Sequence, residues 1–514
     1  MGMRERVRRP ACLVIEEEDG KKTRVEDFEP ELPLSPGTKI FHQPNTNLNI
    51  IAVMGSGKKI DVNVLKSGIE ATLIHHPRFS SLQVMDTEGR GAREGNGKWV
   101  RTRVELEKHI IVPDISNITI TSPDRFLEDY ISDLSATTLD FTKPLWEFHV
   151  INLPTTEAES VVILLCHHSI GDGVSLMSLL LSCFRKTSDP NSLPTIPNKT
   201  NLFADRRRVG LCSSTGTVGD VLGLLVRFAM LVGMLWNTFM DVFSFTATSS
   251  SWLKDTVTPI SVKKGMPFTK KRFVHKTLFM EDIKCIKYAM NVTVNDVLLG
   301  ITSAGLTRYL SRRYSDGGGK KGGGALPENI RLRATVQVNV RETQGLHVMA
   351  DMMDEKKNKD AKFGNWIGCI LIPFPIVQRT DPLDYVRTAS RISNRKKNSG
   401  EANFICLCSQ ILIKIFGIKK AAFLSSELIG NTTFSFSNIV GPLEEVSFYG
   451  HPLAYIAPSV YGHAHALTIH FQSYMGKMKA VLAVDESVIP DPHRLCMDLS
   501  DSLDSMKKAV MSCG

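Results

Sequence analysis

LLCHHSIGDGVSL, residues 164 to 176, sets two adjacent histidines and an aspartate at the end of an apolar run. The run itself, VVILLC (161 to 166), is six apolar residues with β-branched types at its start, which predicts a strand buried on both faces. Downstream, VSLMSLLLSCFRK has helical spacing at Leu176, Leu179, Leu180 and Cys183. Strand, loop, helix makes HHSIGDG a loop pinned between two rigid elements, a natural place to form a site. Asp172 stands four residues after the second histidine, at the entry to the helix. It can orient an imidazole, cap the helix, or pair with an arginine that braces the loop, and bracing is favoured. Gly171 and Gly173 permit a tight backbone there. The plain alternative is a buried histidine pair satisfied by backbone groups.

The chemistry open to such a loop is definite. A neutral imidazole near pH 7 can accept a proton from a hydroxyl while that hydroxyl attacks a carbonyl. An aliphatic alcohol is too weak an acid to ionise unaided, so a positioned base is the main requirement. From a thioester donor, a thiolate whose thiol has a pKa near roughly 8.5 leaves with little acid assistance. One base then suffices, without a serine nucleophile or a covalent intermediate.

At 514 residues the chain exceeds one ordinary core, so two or more domains are expected. Its 42% hydrophobic and 22% charged content is that of a globular protein. The net charge of +9, from 62 basic and 53 acidic residues, suits phosphate-bearing ligands or an anionic lipid surface. No RNP, zinc-finger or helix-turn-helix spacing accompanies it, and nucleic acid is not an expected partner. Ten cysteines without a CxxC pair read as reduced thiols in a cytosol-facing protein. The N-terminus lacks an apolar h-region, and Arg6 fills the Ser/Thr position of a myristoylation signal, so neither a cleaved signal nor that lipid is predicted.

The division expected is a flexible N-terminus (1 to 30), a domain carrying HHSIGDG (31 to 190), a linker with a hydrophobic helix (191 to 260) and a second domain (261 to 514). In the first half, IDVNVLKSGIEATLIHH and PDRFLEDYISDLSATTLD read as helical and KPLWEFHVINL as a strand. DVLGLLVRFAMLVGMLWNTFMDVF (220 to 243) is long enough to span a bilayer. Its polar Arg227 and Asn237 lie about 80° apart at about 100° per residue, and can share a flank. In the second half, VTVNDVLLGITSAGLTRYLSRRY reads as a helix, SDGGGKKGGG (315 to 324) as a flexible loop, and LRATVQVNV, IGCILIPFPI, TTFSFSNIV, AHALTIHFQSY and MKAVLAVD as strands.

Four other patterns invite chemistry and do not sustain it. MGSGKK lacks the P-loop's first glycine and final hydroxyl, with Ala52 and Lys59 in those places. LGITSAG has Ile301 where G-x-S-x-G needs glycine, and packing by small residues explains it better. His463 and His465 can share a strand face, but no local carboxylate or Cys pair joins them, and no metal is expected. His75 and His76, in LIHHPRF, have Ser80 where the first pair has Asp172, and read as structural.

HHSIGDG resembles the HHxxxDG motif of the acyl-CoA-dependent acyltransferase superfamily, which includes chloramphenicol acetyltransferase, the plant BAHD enzymes and peptide-synthetase condensation domains. More narrowly, the chain resembles the plant wax ester synthase/diacylglycerol acyltransferases over nearly its whole length. The matching stretches are PLSP (33 to 36), HPRF (76 to 79), PLWEFHVI (144 to 151), HHSIGDG (167 to 173), VNDVLLG (294 to 300), GNWIG (364 to 368), SNIVGP (437 to 442) and SYMGKM with AVDE. The DFGWG element of BAHD enzymes has no counterpart.

The resemblance implies an α/β fold of two chloramphenicol-acetyltransferase-like domains, with mixed sheets flanked by helices and a tunnel between them. It implies that His168 is the general base, with His167 as an orienting neighbour and Asp172 holding the loop. Gly173, Asn295 and Asp296 are implied to bind substrate, the last two lining the chamber from the second half, while Trp146 and Glu147 read as a packing device. The implied activity is transfer of a fatty acyl group from acyl-CoA, a co-substrate, to a long-chain alcohol or to diacylglycerol. No cofactor and no metal are expected. Rival readings are an acyltransferase for smaller or aromatic alcohols and a non-catalytic lipid-binding protein. The expected location is the cytosolic side of the endoplasmic reticulum membrane, with the plasma membrane as alternative. Both halves enclose one chamber, so residues 220 to 243 are expected to enter the membrane surface shallowly, re-enter, or pack on protein rather than cross alone.

Overall fold

The computed structural model describes residues 32–43, 46–197, 217–262, 269–316, 325–340, 363–365 and 367–513. The expected flexible N-terminus (1 to 30), residues 317–324 of the glycine loop and residues 198–216 of the linker fall outside these residues. In chain order the first half gives β1 (Leu32–Pro33), α1 (Pro36–Phe41), β2 (Asn49–Ser56), α2 (Val62–Ala71), β3 (Ser81–Met85), α3 (Gly89–Glu94), β4 (Gly97–Arg101), β5 (Ile110–Ile111), α4 (Pro123–Ala136), β6 (Trp146–Ile151), β7 (Ser160–His167), α5 (Gly173–Cys183) and β8 (Phe184–Lys186). A long helix, α6 (Thr217–Ser249), follows. The second half gives β9 (Arg272–Phe279), α7 (Met280–Met290), α8 (Val294–Asp316), β10 (Arg333–Asn339), β11 (Ile367–Pro373), α9 (Leu383–Lys397), α10 (Glu401–Phe416), α11 (Ile418–Gly430), β12 (Phe434–Ile439), β13 (Val446–Phe448), β14 (His451–Tyr461), β15 (Leu467–Tyr474), β16 (Lys477–Val484) and α12 (Pro492–Cys513).

Two mixed sheets carry the fold. One runs β5-β6-β7-β2-β14-β13-β8 and the other β11-β10-β12-β15-β16-β9, with a small β1-β4-β3 sheet beside them. Each large sheet has its own apolar core. VVILLC behaves as its composition dictates: every residue of β7 is buried, and β7 sits between β6 and β2. Trp146 of the PLWE stretch is fully buried, donates Nε1–H to the Phe79 carbonyl at 2.8 Å and stacks on His109. Glu147 pairs with Lys143 at 3.0 Å, so both residues serve packing.

The halves are not closed on themselves. β13 and β14, from late in the chain, are built into the first half's sheet, with β14 antiparallel to β2 over its length. The sequence reading names no strand at 451 to 461, a stretch that holds Pro452 and Pro458, residues without a ladder N–H. Beyond Leu453, β14 has a strand partner only on its β2 side among the described residues, and an unladdered edge tolerates a residue without an N–H.

The LGITSAG segment lies in α8, where a Cβ on Gly300 would come within 3.1 Å of the Val386 backbone and one on Gly305 within 3.2 Å of Leu499. Close helix packing explains its small residues. Helix α6 is longer than its apolar core, 33 residues or about 50 Å. Residues 223 to 236 are exposed all round, so they do not pack on the rest of the described chain. The helix docks only near its C-terminal part: Asn237 donates to the Asn398 carbonyl, Gly400 N–H to Thr238, and buried Asp241 accepts from Arg395 and Lys396. Arg227 is exposed and Asn237 half-buried.

Candidate active site

The end of β7 and the start of α5 hold the two histidines in different roles. His167 has both ring nitrogens occupied. Its Nε2 meets Asn47 Oδ1 at 2.7 Å, so Nε2 carries the proton, while Nδ1 accepts from the Ser169 hydroxyl at 2.5 Å and the Ser169 N–H at 3.2 Å. Burial, then the neighbouring His42 and His168, pushes its pKa down to about 3. A ring so engaged orients the loop and has no lone pair to offer.

His168 differs. Its Nδ1 faces Asn365 Oδ1 at 3.2 Å, a contact in which the ring N–H donates. Among the described residues, no hydrogen bond engages Nε2. The Phe41 ring lies 4.5 Å away, centre to centre. Burial lowers the His168 pKa, against smaller upward pulls from its own carbonyl, the Asp172 charge and Asn365, so the ring is neutral at pH 7. A neutral imidazole protonated at Nδ1 has its basic lone pair on Nε2.

Asn365 also donates Nδ2–H to the carbonyls of His168 (2.8 Å) and Ser169 (3.2 Å) and to the Thr38 hydroxyl (3.1 Å). One side chain from the second half thereby clamps the loop and sets the tautomer of its ring. It belongs to GNWIG, a stretch that carried the family resemblance but no assigned chemistry. At 197 positions from His168, no spacing rule could have paired them.

Asp172 is the N-cap of α5: Oδ1 accepts from Ser175 N–H at 2.8 Å. A cap of this kind contributes about 1 kcal/mol. Its backbone and the Ser175 hydroxyl reach the Gly364 carbonyl, tying the loop again to the second half. The two loop glycines divide the expected work. Neither adopts a positive φ. A Cβ on Gly171 would press to 3.1 Å from the Phe363 ring, whereas Gly173 has room and faces the cavity.

That cavity, about 500 Å³, lies between the two large sheets and has His168 on its wall. The size is that of a small-molecule site, roughly 300–1,000 Å³. Ile50, Ala52 and Leu164 line it from the first half, Leu412, Leu424 and Leu428 from the second. Two further imidazoles reach it. His470, on β15, meets Ser459 at 3.3 Å, and burial followed by the charge of His168 lowers its pKa to about 4. His463 faces the Thr468 hydroxyl at 3.1 Å, and its neighbour His465 is taken by Thr432 and Ser435. The pair is spent on hydroxyls, and no group of three metal-ligating side chains occurs among the described residues.

Asn295 and Asp296 are placed elsewhere. Neither is on the cavity wall. Asp296 closes a reciprocal cap at the start of α8, accepting from Thr293 N–H at 2.9 Å while its own N–H donates to the Thr293 hydroxyl. The spacing Thr-Val-Asn-Asp is that of a capping box, and the geometry gives the chamber-lining expectation no support.

Two α/β sheets, a cavity at their junction and a neutral histidine on its wall define a two-domain acyltransferase of the HHxxxDG type. The wax ester synthase/diacylglycerol acyltransferase catalytic-domain model matches residues 46–298, and the C-terminal-domain model of the same family residues 363–507. Wax ester synthase/diacylglycerol acyltransferase 11 of Arabidopsis thaliana is 46% identical over 499 residues, covering 96% of this chain and 98% of the relative. Number 6 of the same plant is 46% identical over 510 residues, covering 95% and 96%. In fold, the wax ester synthase/diacylglycerol acyltransferase from Marinobacter aquaeolei VT8 superposes with a TM-score of 0.57 at 18% identity, covering 93% of this chain and all of that one. The starter condensation domain of rhizomide synthetase gives 0.51 at 10%, covering 94% of each chain. The chain belongs to the wax ester synthase/diacylglycerol acyltransferase family, whose members act on acyl-CoA and an alcohol or diacylglycerol.

Proposed function

We propose that this acyltransferase moves a fatty acyl group from acyl-CoA to a long-chain alcohol, to diacylglycerol, or to both, with His168 as general base. The observation that carries the reading is a neutral, Asn365-oriented imidazole on the wall of an apolar cavity. Nε2 of His168 takes the proton of the acceptor hydroxyl as its oxygen attacks the thioester carbonyl. The C–S bond then breaks, the CoA thiolate departs, and the proton passes from the imidazolium to the sulfur or to water. Both substrates are bound together and no acyl-enzyme forms. His167 and Asp172 keep the loop in place, and Gly173 leaves space beside the reacting atoms.

Exposed α6 supports contact with a membrane, where such acceptors reside. A lone crossing conflicts with the sheet that β2, β7, β13 and β14 share, because elements on both sides of α6 in sequence hydrogen-bond to each other. The helix lies on or dips into the cytosolic face of the endoplasmic reticulum membrane. The test is CoA release from palmitoyl-CoA on adding hexadecanol or dioleoylglycerol to purified protein. Wild type releases CoA and forms ester with one or both acceptors, and His168→Ala does not. Undiminished turnover in folded His168→Ala overturns the assignment of the base.

A further inference from the structure

Helix α10 has an anomaly that its packing does not explain. Its sequence, EANFICLCSQILIKIF, is apolar around most of its circumference, a pattern that normally means burial on all sides. Yet Phe404, Leu407, Ile411 and Ile415 form an outward stripe at helical spacing, each about half exposed. The adjoining face, with Ile405, Ser409 and Leu412, lines the reaction cavity. The wall there is one helix thick, with apolar side chains on both surfaces. In α10, Phe404 and Cys408 border the cavity and are exposed to the exterior, as is Thr246 of the neighbouring α6, which marks one place where the cavity reaches the surface.

The neighbours continue the pattern. In α6, Val242, Phe245 and Thr246 line the cavity while Phe239, Met240 and Phe243 face outward. In α11, Leu424 and Leu428 line the cavity while Phe423 faces outward. The exposed charge on this face has one sign. Between 402 and 430 the charged residues are Lys414, Lys419, Lys420 and Glu427, the three lysines exposed and Glu427 half-buried against Ser251. An apolar stripe rimmed by lysines complements an anionic bilayer surface, and a large exposed apolar patch otherwise opposes solubility.

We propose that α10, α11 and the C-terminal part of α6 form a seat on an anionic lipid bilayer, and that the lipid acceptor enters the cavity from the bilayer beside Phe404 and Cys408. This rests on the acyl-transfer reading and adds the route by which its acceptor arrives. Acyl-CoA, which is water-soluble at its nucleotide end, is not required to use that mouth.

The test uses the full chain and the double variant Leu407→Glu/Ile411→Glu, two outward residues that are not on the cavity wall. Flotation is measured with phosphatidylcholine vesicles with and without phosphatidylserine. Transfer from palmitoyl-CoA is measured to octanol dissolved in buffer and to hexadecanol carried in the vesicles. Wild type is expected to float, about threefold more with the anionic lipid. The variant is expected to lose most flotation and at least tenfold of its rate on vesicle-borne hexadecanol, while its octanol rate stays within twofold. A variant that floats and uses hexadecanol as wild type does overturns the seat, since α6 alone would then suffice, and so does a wild type that ignores vesicles. Should the double variant lose octanol turnover as well, Leu407→Gln and Ile411→Gln are measured singly, and equal losses for the two acceptors overturn the route. A wild type that floats but esterifies neither alcohol removes the acyl-transfer reading and leaves the seat standing.

Discussion

The chain's two His-His pairs, His75–His76 and His167–His168, differ in what stands opposite their second ring. The His76 ring is fully buried, lies 4.4 Å from the Phe363 ring, and accepts from Arg78 N–H at Nδ1, while its Nε2 has no partner among the described residues. His168 is as deeply buried, yet it faces a cavity and is held at Nδ1 by Asn365. Two residues apart on one short segment, Phe363 packs the first ring and Asn365 orients the second. A histidine pair is therefore no signature of a base. What distinguishes one is an oriented tautomer with its free lone pair turned towards open space.

The largest effect that could break this contrast is on rate. His168→Ala is expected to lower kcat/KM by about 10³-fold, within the range for loss of a general base, while His76→Ala keeps kcat of the folded protein within about threefold of wild type. Steady-state assays of both variants, with a far-UV spectrum to verify folding, make the comparison. Equal losses would erase the distinction between the rings.

Next in size is the positioning residue. Asn365→Ala removes the acceptor for His168 Nδ1–H, so the ring can turn or change tautomer, and kcat should fall roughly 10–100-fold with little change in KM. The pH profile supplies the sign. The proposed base, His168, would work unprotonated, and burial already places its pKa below the ordinary 6.5, so the acid limb of kcat/KM is expected below that value. The Asn365 bond pulls the pKa upward, so its loss moves the acid limb to still lower pH. A merely structural clamp would reduce activity without moving the limb.

Much of the fold was legible because burial imprints period and composition on strands. VVILLC, MKAVLAVD and the WEFHVI core of PLWEFHVI announce themselves, and all three became strands. Strand β14 did not; beyond Leu453 its ladder runs on the β2 side alone among the described residues, which accommodates Pro458. The helical wall at 401 to 430 escaped as well: a helix apolar on both a cavity side and an outer side has no polar face to reveal its orientation. At the site, His168 was legible because HHxxxDG is local in sequence. Asn365 was not, because its partnership spans the two halves. Asp172 caps its helix, one of the roles open to it in sequence, while Asp296 shows the limit of motif reading, since the residue expected at the chamber caps α8 instead.

The third expectation concerns stability. His76→Ala leaves a cavity against Phe363 but also removes a buried nitrogen without a partner among the described residues, so the loss should be modest, about 1–3 kcal/mol. Urea midpoints measure it. A loss above about 5 kcal/mol would show that Nε2 has an important partner after all.

The smallest effect is also the most specific, because it tests whether the buried rings are neutral. Burial holds His76, His167 and His465 down to about 3, and His275 and His470 to about 4. In the unfolded chain each titrates near 6.5, so below that pH the unfolded state takes up protons that the native state refuses. Stability is then present in full above about pH 6.5 and is lost as pH falls towards 4, by about 1.4 kcal/mol per pH unit for each ring. His76→Ala removes one such ring and should therefore lose stability less steeply. The gap in unfolding free energy between wild type and this variant is expected to narrow by about 1.4 kcal/mol between pH 8 and pH 5.5. Urea titrations at the two pH values decide the matter. A gap that stays constant would mean that His76 gains its proton as readily in the native protein as in the unfolded chain, and the contrast between a sealed ring and a working one would need another basis.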